Sequence, residues 1–171
     1  MKDVIVTGGN VGVNFACAPC PDPDGPSNGV VKDSSFTGNG NGVLLAQTTD
    51  ATIKDITVTG SARTGILVGL AGFIPGFPAI TNATITDNTV TGSGGAGIQL
   101  ITTDTSKVSA NTVTGNADGG IKLRFGSINN KISGNTATGN TGTDMLHDVS
   151  SSPNNWKNNT CVVSSGADID C

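Results

Sequence analysis

Apolar residues recur in this chain at a fixed long interval. Three stretches make the pattern plain: Ile85 to Leu100 (ITDNTVTGSGGAGIQL), Val108 to Leu123 (VSANTVTGNADGGIKL) and Ile132 to His147 (ISGNTATGNTGTDMLH). The alignment is anchored on the Thr of a Thr-Gly pair: Thr7, Thr37, Thr59, Thr91, Thr114 and Thr138, with Val162 in the last copy. Four apolar columns then appear. The first holds Val31, Ile53, Ile85, Val108, Ile132 and Trp156. The second holds Val6, Phe36, Val58, Val90, Val113, Ala137 and Cys161. The third runs Val13, Val43, Ile66, Ile98, Ile121, Met145, Ile169, and the fourth Phe15, Leu45, Val68, Leu100, Leu123, His147, Cys171.

The two apolar residues of each G-I-x-L segment lie two apart, which is strand periodicity with both on one face. Each copy therefore predicts three short strands, the third and fourth columns sharing one. Gly and Asn between them supply the bends. A repeat this short cannot bury its own apolar face, so the copies must stack as the coils of a solenoid. Like residues then sit about 4.8 Å apart. Asn88, Asn111, Asn135 and Asn159 recur at steps of 23, 24 and 24 residues, at the bend between the first and second columns. Stacked amides there can hydrogen-bond from coil to coil.

The pattern I-x-x-N-x-V-x-G-N followed by G-I-x-L resembles right-handed parallel β-helix repeat proteins of the pectate-lyase-like superfamily. The last coil, with Pro153 to Asn159 and a final Cys, resembles the C-terminal coil of secreted bacterial members. The resemblance implies a single all-β domain over residues 1–171: a single-stranded right-handed parallel β-helix of about seven coils. It leaves activity open, because that superfamily holds lyases, hydrolases, epimerases, tailspikes, adhesins and proteins without known activity.

Composition narrows the function. Aromatics are 4%, charged residues 13%, and Tyr is absent. A net charge of −4 gives no basic footprint for nucleic acid. No apolar run is long enough to span a bilayer. Four Cys in such a chain point to an oxidising, extracellular or cell-surface setting. Met1-Lys2-Asp3 leads straight into a strand pattern, so the start reads as mature or trimmed, without its signal peptide. Cys161 and Cys171 both fall in inward columns of the final coil and are expected to form a disulfide that staples residues 153–171. Cys17 and Cys20, in a Pro-rich loop, read as a second, loop-closing disulfide. His147 is the only histidine and reads as an interior residue. No metal site is expected.

Two steps are long, 30 residues from Thr7 to Thr37 and 32 from Thr59 to Thr91. The excess lies after the fourth column both times, as insertions at about 16–29 and 69–80 that leave one edge of the G-I-x-L sheet. Outward positions of that sheet are Asn14, Leu44, Leu67, Gln99, Lys122, Leu146 and Asp170, followed by Ala16, Ala46, Gly69, Ile101, Arg124 and Asp148. Phe73, Ile74 and Phe77 are expected to fold back over Leu44 and Leu67, removing apolar surface from water. Gln99, Lys122, Arg124 and Asp148, with Asp118 in a flanking turn, form the candidate binding residues for a polysaccharide. In the enzymes this chain resembles, substrate lies on the corresponding face, an Arg or Lys abstracts a proton beside a uronate carboxylate, and acidic residues hold calcium. That resemblance makes Arg124 and Lys122 the candidates for a lyase base, the only setting in which calcium enters. Asp104, Asp118, Asp144 and Asp148 are scattered over different coils, which speaks against it.

A second surface is regular. Thr57/Thr59, Thr89/Thr91, Thr112/Thr114 and Thr136/Thr138 form an outward T-x-T ladder, which resembles the ice-binding faces of β-solenoid antifreeze proteins. Thr is also simply a good strand residue on a solvated face. The expected function is an extracellular scaffold that binds carbohydrate, adheres or serves structurally without catalysis. The alternatives are a polysaccharide lyase or related glycan-active enzyme, and an ice-binding protein. The first coil shows no cap, so its edge is expected to meet an upstream segment, a partner or another copy.

Overall fold

A computed structural model describes residues 1–15, 28–46, 48–69, 79–166 and 168–171. It has no helix among these residues, and its strands form three long parallel sheets of six, six and seven strands. The first sheet carries the first column at its centre: Val31 pairs beside Ile53, then Ile85, Val108, Ile132 and Trp156. The second sheet stacks Val6, Phe36, Val58, Val90, Val113 and Ala137 in the same way. The third aligns Val13, Val43, Ile66, Ile98, Ile121 and Met145, with the fourth column two residues on. The four columns meet in one continuous buried core. This is the expected parallel β-helix of roughly seven coils.

The bends explain the motif residues. Between the first and second sheets one residue per coil takes a left-handed conformation: Asp33 (φ 50°), Asp55 (53°), Asp87 (57°), Ala110 (55°), Gly134 (65°) and Asn158 (54°). Short polar residues tolerate that region best. The Gly of each Thr-Gly pair does the same after the second sheet, as at Gly92 (φ 66°) and Gly115 (φ 65°). Directly after the first of these bends, the Asn ladder forms as expected. Asn88 Nδ2 donates to Asn111 Oδ1 (2.9 Å), Asn111 Nδ2 to Asn135 Oδ1 (2.9 Å) and Asn135 Nδ2 to Asn159 Oδ1 (3.0 Å).

The structure departs from the pattern in two places. Residues Ile80–Thr81 and Thr103–Asp104 add a short two-stranded sheet on a fourth side. The chain bends at Thr102 (φ 50°) and again at Thr105 (φ 51°), and the extended pair between the bends finds a partner in the neighbouring coil. The second departure is the C-terminal end. Ser164 and Ser165 stack beneath Met145 and Leu146, in the places that the apolar alignment assigns to Ile169 and Asp170. The tail after them turns back under the final coil. Asn159 donates through its backbone N (3.4 Å) and through Nδ2 (3.2 Å) to the Asp170 carbonyl. Ile169 packs half-buried against the core. The expected Cys161–Cys171 disulfide is present and spans a separation of 10 residues. Cys171 reaches it from the returning tail, with its sulfur 3.9 Å from the Met145 thioether.

Candidate functional site

The outward face of the third sheet begins as an apolar surface. Leu44 is half-buried, whereas Ala46, Leu67 and Ile101 are buried without belonging to the inner core. The upper coils are therefore covered on this side. Phe73, Ile74 and Phe77, expected to cover them, lie outside the described residues, as do Cys17 and Cys20.

Below, the face turns polar in the expected register: Gln99 pairs beside Lys122 and Ile101 beside Arg124, with Leu146 next to Lys122 in the following coil. Lys122, however, does not stand free on the sheet. It is 7% exposed and its ammonium lies 2.8 Å from the Asp118 carboxylate. Its stem covers Gly119: a Cβ there would come 2.6 Å from Lys122 Cε and 2.6 Å from the Thr143 carbonyl oxygen. Gly119 also holds φ 104°. An unsubstituted backbone at this turn lets the lysine lie down and meet Asp118. The periodicity set the side of the sheet correctly, and the ion pair from the adjacent turn removed the side chain from solvent.

Arg124 sits at the lower rim. Its guanidinium carbon stands 4.6 Å from the centroid of the Phe125 ring, a stacking that lends the ring a fixed orientation. Phe125 is 45% exposed and adopts φ 53°. This bend turns a phenyl face toward water, a placement the strand pattern could not foresee. Asp148 follows one coil on, its N–H bonded to the Leu123 carbonyl. Its carboxylate accepts from Ser150 N (2.9 Å) and Ser150 Oγ (2.9 Å). Those two Ser150 bonds lower its pKa below the ordinary value, against partial desolvation and with help from the Arg124 charge.

The acidic residues do not converge. Asp104 accepts from Asn129 Nδ2 (3.0 Å), Asp118 holds Lys122, and Asp144 is buried. Among the described residues no three His, Cys, Asp or Glu side chains group as cation ligands. The donor set does not fit the calcium cluster of a lyase. His147 is buried, with Nε2 against the Ser151 carbonyl and 3.2 Å from Asn154 Nδ2; its ring lies 6.0 Å from Trp156.

The T-x-T ladder on the second sheet is in register: Thr57, Thr89, Thr112 and Thr136 form one rank, and Thr59, Thr91, Thr114 and Thr138 the other. Thr57, Thr59, Thr89 and Thr112 are exposed and the rest half-buried. Ser35 and Thr37 extend the ranks above, and Thr160 bridges to Thr136 below.

A family model described as the right-handed beta helix region matches residues 24–170. The chain belongs to the right-handed β-helix family. No curated protein and no solved structure gives a significant match. For this β-helix the family establishes the coil, and what the coil carries must be read from its surfaces. One surface escaped the apolar alignment altogether. Lysines flank the first column on either side, at Lys32, Lys54, Lys107, Lys131 and Lys157. The signal was present in the same register, in the charged positions rather than the apolar ones.

Proposed function

We propose that this β-helix is an extracellular, non-catalytic scaffold that binds carbohydrate on the lower outer face of its third sheet. The observation that carries the reading is the ledge of Arg124 and Phe125 beside Asp148. An exposed phenyl face offers apolar contact to the C–H face of a sugar ring, and the guanidinium and carboxylate supply fixed hydrogen bonds to hydroxyls. Gln99, two coils above Asp148, adds an amide to the same strip. The disulfide at Cys161–Cys171 supports an oxidising location.

A lyase would need a base open to substrate and an acidic cluster for calcium. Lys122 is engaged by Asp118, and the carboxylates stand apart on separate partners. Glycan-array binding tests the proposal. Phe125→Ala and Arg124→Ala are each expected to weaken the strongest array signal about tenfold without shifting the thermal midpoint. Unchanged binding in both variants would overturn the site. New ultraviolet absorbance from unsaturated ends, on incubation with uronic-acid polymers and calcium, would replace the binding role with a lyase.

The Thr ranks favour a second reading, ice binding. Their hydroxyls repeat about 4.8 Å between coils and about 6.6 Å along each strand, a rigid two-dimensional order that could template ordered water. Faceted crystals and thermal hysteresis in the wild type, lost in Thr112→Tyr/Thr114→Tyr, are the expected result. A freezing point that tracks solute concentration alone would dismiss it.

A further inference from the structure

The chain has seven lysines, and six of them lie on the outer face of the first sheet. Lys2 bridges to Lys32, Lys32 pairs beside Lys54, Lys107 beside Lys131, and Lys157 beside Ser133. The seventh is Lys122, already bound to Asp118. A protein of net charge −4 thus gathers its ammonium groups on one side.

The two halves of that side differ. In the upper coils the adjoining bend carries Asp3, Asp33, Asp55 and Asp87, and two of the three lysines there, Lys2 and Lys54, are ion-paired. Lys2 lies 3.4 Å from Asp3, and Lys54 lies 3.6 Å from Asp55 and 3.7 Å from Asp87. In the lower coils the same bend carries Ala110, Gly134 and Asn158, and among the described residues the one carboxylate bonded to it is that of Asp170, which accepts from Asn158 N (3.2 Å). Lys107, Lys131 and Lys157 are exposed and make no ion pair among the described residues. They stand on three successive coils about 4.8 Å apart along the axis, Lys107 and Lys131 in one rank and Lys157 in the rank beside it, next to Ser133.

We infer that this lower face is a docking strip for an acidic polysaccharide, its carboxylate or sulfate groups laid along the axis over Lys107, Lys131 and Lys157. Charge complementarity selects an anion. The residues beside the lysines select the kind: half-buried Ser133 and exposed Asn155 occupy the neighbouring outward positions, hydroxyl and amide groups suited to a hydroxyl-rich chain. The strip has no aromatic platform on which bases could stack and no exposed large apolar side chain to enter a lipid surface. The inference takes its ligand class from the carbohydrate proposal but places the contact on a different sheet from Phe125.

Retention on immobilised polygalacturonate, compared with neutral glucan, phosphatidylserine vesicles and a single-stranded oligonucleotide, tests it. The wild type is expected to bind the polygalacturonate, with affinity falling as NaCl is raised. Lys107→Gln/Lys131→Gln/Lys157→Gln should lose about tenfold or more while keeping the wild-type thermal midpoint. Arg63→Gln, an exposed charge on another part of the coil, should match the wild type. Equal binding by the triple variant, equal loss in Arg63→Gln, or preference for vesicles or oligonucleotide would overturn the strip. A protein that binds neutral glycans through Phe125 and ignores polygalacturonate would sink this inference alone; the loss of both would sink the carbohydrate reading with it.

Discussion

Asn111 shows how little freedom a ladder position has. It is 1% exposed. Its Oδ1 accepts from Asn88 N (3.0 Å) and Asn88 Nδ2 (2.9 Å). Its Nδ2 donates to the Ile85 carbonyl (3.0 Å) and to Asn135 Oδ1 (2.9 Å). Two acceptor sites and two donors are all used, so no other side chain substitutes. Asn111→Ala strands two buried donors of Asn88, at about 1–3 kcal/mol each. We expect a loss of about 3 kcal/mol or more in urea unfolding, against about 0.5 kcal/mol or less for the adjacent exposed Thr112→Ala. This ladder was legible because one residue type occupies one register. The neighbouring column of Asn39, Ser61, Ser93, Asn116 and Asn140 supplies the last Asn of the motif but was not legible as a ladder, because Ser interrupts it. Ser93 N still donates to Asn116 Oδ1 (2.9 Å), yet Ser61 Oγ and Ser93 Oγ are buried without a partner. At these two positions the hydroxyl finds no partner, whereas at Ser34 and Ser106 it accepts from the N–H of Val4 and of Ala83 in the adjoining coil (3.1 Å each).

At the scale of the strand, register was readable wherever a three-residue element has one apolar centre between two outward residues, as in Thr112–Thr114. It failed at the last stack. Ser164–Ser165 is polar and exposed and pairs on one side only, so apolar periodicity has nothing to detect, and Ile169 offered a false match from the returning tail. What seats Ser164–Ser165 is Asp144. Its Oδ1 accepts from Asn140 N (3.1 Å) and Nδ2 (2.9 Å), and its Oδ2 from Val162 N (3.1 Å) and Val163 N (3.1 Å). Burial alone would raise this carboxyl; the hydrogen bonds from Asn140, Val162 and Val163 outweigh it and hold the pKa below the ordinary value. A lowered folded-state pKa stabilises the structure above the unfolded value, about 4, and the contribution fades as pH falls through the lower folded value. Amide exchange at Val162 and Val163, corrected for its intrinsic pH dependence, should therefore show protection that drops as pH falls below about 4. Asp144→Ala should show the unprotected behaviour already at neutral pH. Undiminished protection in the variant would remove Asp144 from this role.

Across the whole molecule, one coil is visibly tied in place. Below, Trp156 is buried, Asn159 finds its last partner in the Asp170 carbonyl, and Cys161–Cys171 ties the returning tail to the coil. Among the described residues, the strands at Ile5–Thr7 and Val11–Phe15 pair with the coil beneath, and Ile5 is 81% exposed. The aromatic and lysine surfaces stayed hidden from the apolar alignment for a related reason: the columns report what every coil must share, whereas Phe125 and Lys107 mark where coils differ. The shared columns make the tube modular as a piece of construction. A cassette copied from Val108 to Leu123 with its bends, inserted between two interior coils, would meet on both sides the strand edges and apolar floor it was copied from. The same cassette placed after Asn159 would have to evict the tail and break the knot that ties it, so lengthening by repetition is cheap inside the tube and blocked where the tail is tied.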